Sequence, residues 1–254
     1  MNDTTISWRN GLYVTAVRKE DHDRAKALAD HLGAELNTGE KTDNVLMLRL
    51  DENGLTLTDG KLELKGDFTR MLPRLKQNNL LGEHLVKAAK IKDFGELPSA
   101  VDATAGLGED ALLLAAVGFL VQLYEYDPVI AALLQDALQR AAKIPELSEI
   151  AGRMEFHEGN SITALHKMEK SPDLILLDPM FPGSQQTGLV KKKFQLLRQL
   201  EQPCSDEDDL IQAAIAAHPH KIIIKRPVKG PYLGGIRPAY SIFGKGIRFD
   251  CLIG

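Results

Sequence analysis

Val101-Asp-Ala-Thr-Ala-Gly-Leu-Gly-Glu-Asp110, followed by an apolar helical stretch and then Val121-Gln-Leu-Tyr-Glu125, decides the fold. It reads as strand, glycine turn, helix and second strand, with an acid at that strand's tip. Glycine lacks Cβ, so the backbone can turn sharply and approach a ligand, and the next helix aims its free N–H groups at the same place. Glu125 stands nineteen residues beyond Gly106, near the spacing at which an acid accepts the two hydroxyls of a ribose. An adenosine-containing cofactor is expected here.

Downstream the pattern repeats. Ala100–Thr104, Val121–Glu125, Met154–Phe156, Asp173–Leu177 and Lys221–Lys225 read as strands, and Ala239–Phe243 with Ile247–Cys251 as a closing hairpin. Between them, 109–117, 128–142, 161–168, 190–200 and 206–217 read as helices. Alternating strands and helices predict a doubly wound α/β sheet, mostly parallel with an antiparallel end. Upstream, 11–17, 45–50, 55–58 and 62–65 read as short strands, and a helix capped by Asp21 or Asp23 closes at Gly33. The expected organisation is a small α+β unit over 1–68, a basic helical connection over 69–98 and the main domain over 99–254. In the connection, Leu80, Leu81, Leu85, Val86 and Ala89 are expected to face the core.

The 254 residues, 44% hydrophobic and 26% charged, are ordinary for a soluble protein. The longest apolar run is too short to span a bilayer, and the N-terminus has no signal-peptide pattern. Cys204 and Cys251 have no metal spacing, and His84, His157 and His166 form no cluster, so a cytoplasmic protein without a metal site is expected. The net charge of −4 hides a segregation: seven Lys or Arg and no acid lie from Leu210 through Phe249. Local fields steer polyanions, so RNA binding stays compatible with that total, as does the plainer reading of a solvated surface.

Gly106-Leu-Gly-Glu-Asp-Ala111 formally fits the dinucleotide fingerprint. Two features favour S-adenosylmethionine instead. Asp102 gives D-x-x-x-G-x-G, and a carboxylate there suits a cation better than a pyrophosphate; the chain also lacks the second half of a dinucleotide domain. Asp102, Gly106, Gly108, Glu109, Asp110, Glu125, Tyr126, Asn160, Ser161 and Asp178 are the candidate cofactor residues. Asn160-Ser161 could equally cap the next helix, and Glu109 and Asp110 could serve its dipole.

After the fourth strand comes Asp178-Pro-Met-Phe-Pro182. It resembles the (Asp/Asn)-Pro-Pro-(Phe/Tyr) loop of methyltransferases acting on nucleobase amines, with Met180 in place of the second Pro. An exocyclic amine is a poor nucleophile, and acceptors for its N–H groups can align it and stabilise the charge that develops. Asp178 and the Pro179 carbonyl are expected to accept those protons, and Phe181 to stack on the base.

Together with Leu189-Val-Lys-Lys-Lys193, Lys225-Arg-Pro227 and Gly246-Ile-Arg-Phe-Asp250, these segments resemble the RsmJ family of small-subunit rRNA guanine-N2 methyltransferases. The resemblance implies a Rossmann-like class I methyltransferase fold, S-adenosylmethionine as donor, and 16S rRNA or the small ribosomal subunit as partner. It further implies methylation of a guanosine N2 near the 3′ end of 16S rRNA. The family often has Arg where this chain has Glu109 or Tyr126. Lys191, Lys192, Lys193, Lys225 and Arg226 are then expected to hold RNA phosphates, with Arg70 and Arg74 extending the track. The rivals are another amine acceptor (adenine N6 or a protein side chain), a nicotinamide-dependent oxidoreductase, and a non-catalytic RNA-binding module.

Overall fold

The computed structural model describes residues 11–37, 45–90, 97–179, 196 and 206–254. Its main sheet has seven strands: β6 (Ser99–Asp102), β7 (Leu120–Glu125), β8 (Met154–Glu158), β9 (Leu174–Leu177), β10 (Lys221–Pro227), β11 (Tyr240–Phe243) and β12 (Ile247–Ile253). Their order is β11-β12-β10-β9-β6-β7-β8. Pairings from β8 to β10 are parallel, and β12 runs antiparallel to both its neighbours. The chain moves outward from β6 to β8, then returns to the other side of β6 at β9. That reversal opens a crevice beyond the carboxyl ends of β6 and β9, where ligands of open α/β sheets bind.

Burial of both sheet faces explains the strand sequences. Leu174-Ile-Leu-Leu177 and Lys221-Ile-Ile-Ile224 are buried throughout, as strands covered on both sides require. On one face lie α4 (His84–Ala89), α5 (Glu109–Ala116) and α7 (Pro145–Ala151); on the other lie α8 (Ser161–His166) and α9 (Glu207–Ala216). α6 (Pro128–Ala141) starts where Pro128 fits the first turn and the Asp127 carboxylate accepts from the N–H groups of Val129 and Ile130. α7 escapes the sequence reading: it is short and follows α6 after only a few residues, so one helical pattern masks the other.

The N-terminal unit is a five-stranded sheet, β2-β1-β3-β4-β5, built from β1 (Leu12–Ala16), β2 (Glu35–Leu36), β3 (Leu46–Asp51), β4 (Gly54–Thr58) and β5 (Glu63–Leu64). Its helix α1 (His22–Leu32) closes at Gly33 in the left-handed region, φ 64°. Asp21 occupies the N-cap position, but its carboxylate is taken by the Arg18 guanidinium at 2.7 Å and caps no backbone N–H; Asp23 lies inside the helix. The unit packs on α6 of the main domain. Leu48, Leu50, Leu55 and Leu57 share one core with Val129 and Leu133 of α6, which Leu196 also joins. The rest of the expected helix over 190–200 lies outside the described residues.

The expected connection is a chain of short turns: a 3-10 turn at Phe68–Met71, then α2 (Leu72–Leu75), α3 (Gln77–Leu80) and α4. Lys76 and Glu83 interrupt it with ψ near 133° and 135°. Phe68, Met71, Leu80, Leu85, Val86 and Ala89 enter the main core. Leu81 does not, contrary to expectation: the chain turns at Gly82 and leaves it half exposed. Among the described residues, no helix is long and apolar enough to cross a membrane.

Candidate active site

The crevice is floored by the turn from Ala103 to Gly108. Gly106 and Gly108 both have positive φ, 53° and 75°. They are glycine for different reasons. A Cβ on Gly108 would lie 2.7 Å from the Leu134 side chain and 3.2 Å from Phe68, so this glycine lets the turn pack on the core. A Cβ on Gly106 would meet nothing within 4 Å and would project into open space. Gly106 keeps that space clear.

Glu125, at the tip of β7, holds the turn in place. One carboxylate oxygen accepts the Gly106 N–H at 2.9 Å and the other accepts the Asp127 N–H at 2.8 Å. Burial pushes its pKa up to about 7 despite these two bonds. Asn160 caps α8: its side-chain oxygen accepts from the N–H groups of Ile162 and Thr163, with Ser161 as the first residue of that helix. Tyr126, 68% exposed, projects into solvent.

Asp102 lies buried at the end of β6, 2% exposed. Burial first and nearby Asp110 second raise its pKa to about 8, against the Thr104 N–H that donates to it at 3.2 Å. Beside it stands the cluster Asp110–Lys225–Asp178. Lys225 Nζ lies 2.6 Å from Asp110 Oδ2 and 2.9 Å from Asp178 Oδ2. Desolvation works against the ammonium, but Asp110 and then Asp178 outweigh it and hold its pKa well above the ordinary lysine value. Desolvation raises the Asp178 carboxyl, Lys225 opposes that rise, and Asp110 adds to it. The Thr104 hydroxyl accepts the Asp178 N–H at 2.6 Å and ties β9 to the glycine turn. The sequence reading passed over Thr104; its place two residues after Asp102, in the loop shared by both sites, was the available signal.

Three residues expected at RNA phosphates have partners within the protein. Lys225 faces inward on two carboxylates. Arg226 is 1% exposed, with its guanidinium 3.6 Å from Glu207 and donating to the Pro231 carbonyl, so it has no surface to offer a phosphate. β10 simply continues one turn of the pleat farther than the sequence suggested, carrying Arg226 into the sheet. Arg74 is bound through two nitrogens to Glu83, at 2.7 and 2.9 Å. Arg70 is exposed, with Asp67 3.4 Å away. Phe181, Lys191, Lys192 and Lys193 lie outside the described residues.

This geometry suits a cationic ligand with a ribose. The buried Asp102 and the half-buried Glu125 carry raised pKa values beneath a turn whose open side is cleared by Gly106. Residues 31–253 match the family model SAM_MT, described as a SAM-dependent methyltransferase. The chain is 40% identical to ribosomal RNA small subunit methyltransferase J of Thioalkalivibrio sulfidiphilus, over all of this chain and 99% of that one. The chain belongs to the RsmJ family of SAM-dependent methyltransferases. The enzyme of the same name from Pseudomonas paraeruginosa is 36% identical over 94% of this chain and 93% of its own. A crystal structure of a SAM-dependent methyltransferase from Neisseria gonorrhoeae superposes with a TM-score of 0.71, at 26% identity, covering 95% of each chain. The RsmJ-type chain is thus a class I methyltransferase using S-adenosylmethionine, and the nicotinamide alternative falls away.

Two results are expected at this site. Gly106→Ala should weaken S-adenosylmethionine binding by at least about tenfold, through the strained φ and the methyl placed in the open space, with little loss of fold. Calorimetric titration checks it, and wild-type affinity would show that the ligand lies elsewhere. The second concerns pH. The folded protein holds a proton on Asp102 up to about pH 8, where the unfolded chain has lost it by about pH 4. Asp102 therefore adds stability to the ligand-free protein at low pH and loses that contribution as pH rises from about 4 to 8. A cationic ligand favours the ionised form, so affinity should rise with pH toward 8 and binding should release a proton. Asp102→Asn should flatten that dependence; an unchanged slope would take Asp102 out of the binding reaction.

Proposed function

We propose that this enzyme methylates the exocyclic N2 amine of a guanosine near the 3′ end of 16S rRNA. The observation that carries the reading is Asp178: a carboxylate at the end of β9, gripped through one oxygen by Lys225, opening the loop Asp178-Pro179-Met180-Phe181. The names of the full-length relatives support ribosomal RNA of the small subunit as substrate. The loop's likeness to the nucleobase amino-methyltransferase motif supports an amine.

S-adenosylmethionine supplies an electrophilic methyl group on a sulfonium. In this reading Asp102 faces the cationic amino acid portion, Glu125 the ribose, and the backbone beside Tyr126, Asn160 and Ser161 the adenine. Glu109 and Asp110 border the turn. Asp178 and the Pro179 carbonyl accept the two amine protons and turn the nitrogen lone pair toward the methyl. Lys225 keeps Asp178 oriented, and the carboxylate stabilises the positive charge that builds on nitrogen. Phe181 stacks on the extruded base, and Lys191, Lys192, Lys193 and Arg70 meet phosphates. A strong general base is not required, because the methylated amine is acidic enough to lose its proton easily. In this reading the enzyme works in the cytoplasm with its ribosomal partner.

The test is transfer of labelled methyl from S-adenosylmethionine to unmodified 30S subunits, followed by nucleoside analysis. Label in N2-methylguanosine is the expected result. Label in N6-methyladenosine or in ribosomal protein would replace this acceptor with another amine.

A further inference from the structure

The catalytic edge of the sheet extends past Lys225 to a hairpin tip that the methyl-transfer site leaves unused. Ile247 of β12 pairs with Pro227 of β10, and Phe243 of β11 pairs with Arg248, so the turn 244–246 stands beyond the carboxyl end of β10. Phe243 is 60% exposed and Ile247 41% exposed, with exposed Lys245 between them on a turn of two glycines. A large aromatic in water at a strand end is unfavourable by itself, and the core gains nothing from it. The turn rests against the start of α4, since a Cβ on Gly244 would lie 3.8 Å from the His84 ring.

His84 in turn lines an open groove of about 490 Å³ with Pro73, Arg74, Asn78, Asn79 and Glu83. That groove adjoins the crevice: Asp110, the partner of Lys225, acts electrostatically on both Arg74 and Glu83. Lys229, Arg237 and Lys245 are exposed in the acid-free stretch that ends at Phe249. An exposed aromatic, the exposed amides of Asn78 and Asn79 and the exposed lysines Lys229 and Lys245 match the needs of a single strand of RNA. Bases stack on aromatic faces, amides bond to base edges, and ammonium groups meet phosphates.

We propose that the β11–β12 tip and the α3–α4 groove bind the unpaired RNA strand beside the target nucleotide, with Phe243 stacking on a neighbouring base. This rests on the rRNA-methylation reading and names the surface that recognises the substrate. Phe243→Ala should raise the KM for unmodified 30S subunits roughly tenfold, in line with the loss of one stacked base. The kcat and the affinity for S-adenosylmethionine should stay at wild-type values. Phe243→Tyr should restore the KM and Phe243→Leu should not, because a stacked base needs a ring and an apolar contact does not. With Phe243 replaced by benzoylphenylalanine, irradiation on the 30S subunit should crosslink the enzyme to 16S rRNA. A wild-type KM in Phe243→Ala, full function of Phe243→Leu, or crosslinks confined to ribosomal protein would each overturn the proposal. Failure of the wild-type enzyme to modify the subunit would instead remove the rRNA reading, and this inference with it.

Discussion

Asp178→Ala is expected to lower kcat for methyl transfer by roughly 10²–10³-fold, the range seen when one preorganised charge-stabilising group is removed from an active site. Affinity for S-adenosylmethionine should change far less, because Lys225 stays bound to Asp110 at 2.6 Å and the glycine turn keeps its Glu125 anchor. The carboxylate is positioned rather than merely present: Lys225 holds one oxygen from β10, and the Thr104 hydroxyl holds the backbone N–H from the glycine-turn side. Asp178→Asn keeps an acceptor oxygen in the same place and loses the charge, so its kcat should fall between the two. Single-turnover transfer with saturating cofactor separates the chemical step from binding. An alanine variant with wild-type kcat would remove Asp178 from the reaction.

The second large effect lies far from the chemistry. Asp136→Ala should cost roughly 3 kcal/mol of stability, as expected when one partner of a buried charged network is removed. Asp136 is 2% exposed on α6 and accepts from Arg24 at 2.8 Å, Arg140 at 2.8 Å and the Leu55 N–H at 3.0 Å. Arg140 also donates to the Gly66 carbonyl. Three segments of the N-terminal unit thus converge on one turn of α6. The fit is close, since a Cβ on Gly54 would lie 2.5 Å from both Asp136 and Arg140. Desolvation works to raise the Asp136 pKa, but the bonds from Leu55, Arg140 and Arg24 outweigh it and hold it below the ordinary carboxylate value. Its contribution is accordingly complete above the ordinary carboxylate range and is lost as pH falls through the depressed value. For a chain of this size the loss corresponds to a fall in Tm of roughly 6–12 °C. Thermal denaturation at neutral pH reads it directly, and an unchanged Tm would mean that the apolar core alone joins the two sheets.

The glycine turn and its anchoring acid were legible because local rules write them. Asp102, Gly106, Gly108 and Glu125 follow from the strand–turn–helix–strand pattern, in which positive φ, chain reversal and the acid at the next strand's tip are fixed by near neighbours. The fold class followed from the same alternation of strands and helices. The basic residues were less legible, because a lysine or arginine in a sequence carries its charge but not its partner. Lys225 and Arg226 look alike there, yet β10 turns one onto Asp110 and Asp178 and buries the other near Glu207. Arg74 meets Glu83 only because the chain turns at Lys76 and again at Gly82.

By itself, then, the sequence determined the doubly wound sheet, the nucleotide turn and the acid that opens the Asp178 loop, all set by spacing within a few dozen residues. Tertiary structure alone decided which cation steadies Asp178, how the N-terminal sheet locks onto α6 through Asp136, and that Phe243 stands exposed beside the crevice. Each of those depends on strands and helices far apart in the chain meeting at one place. Strand register and helix packing set such meetings, and no local pattern encodes them.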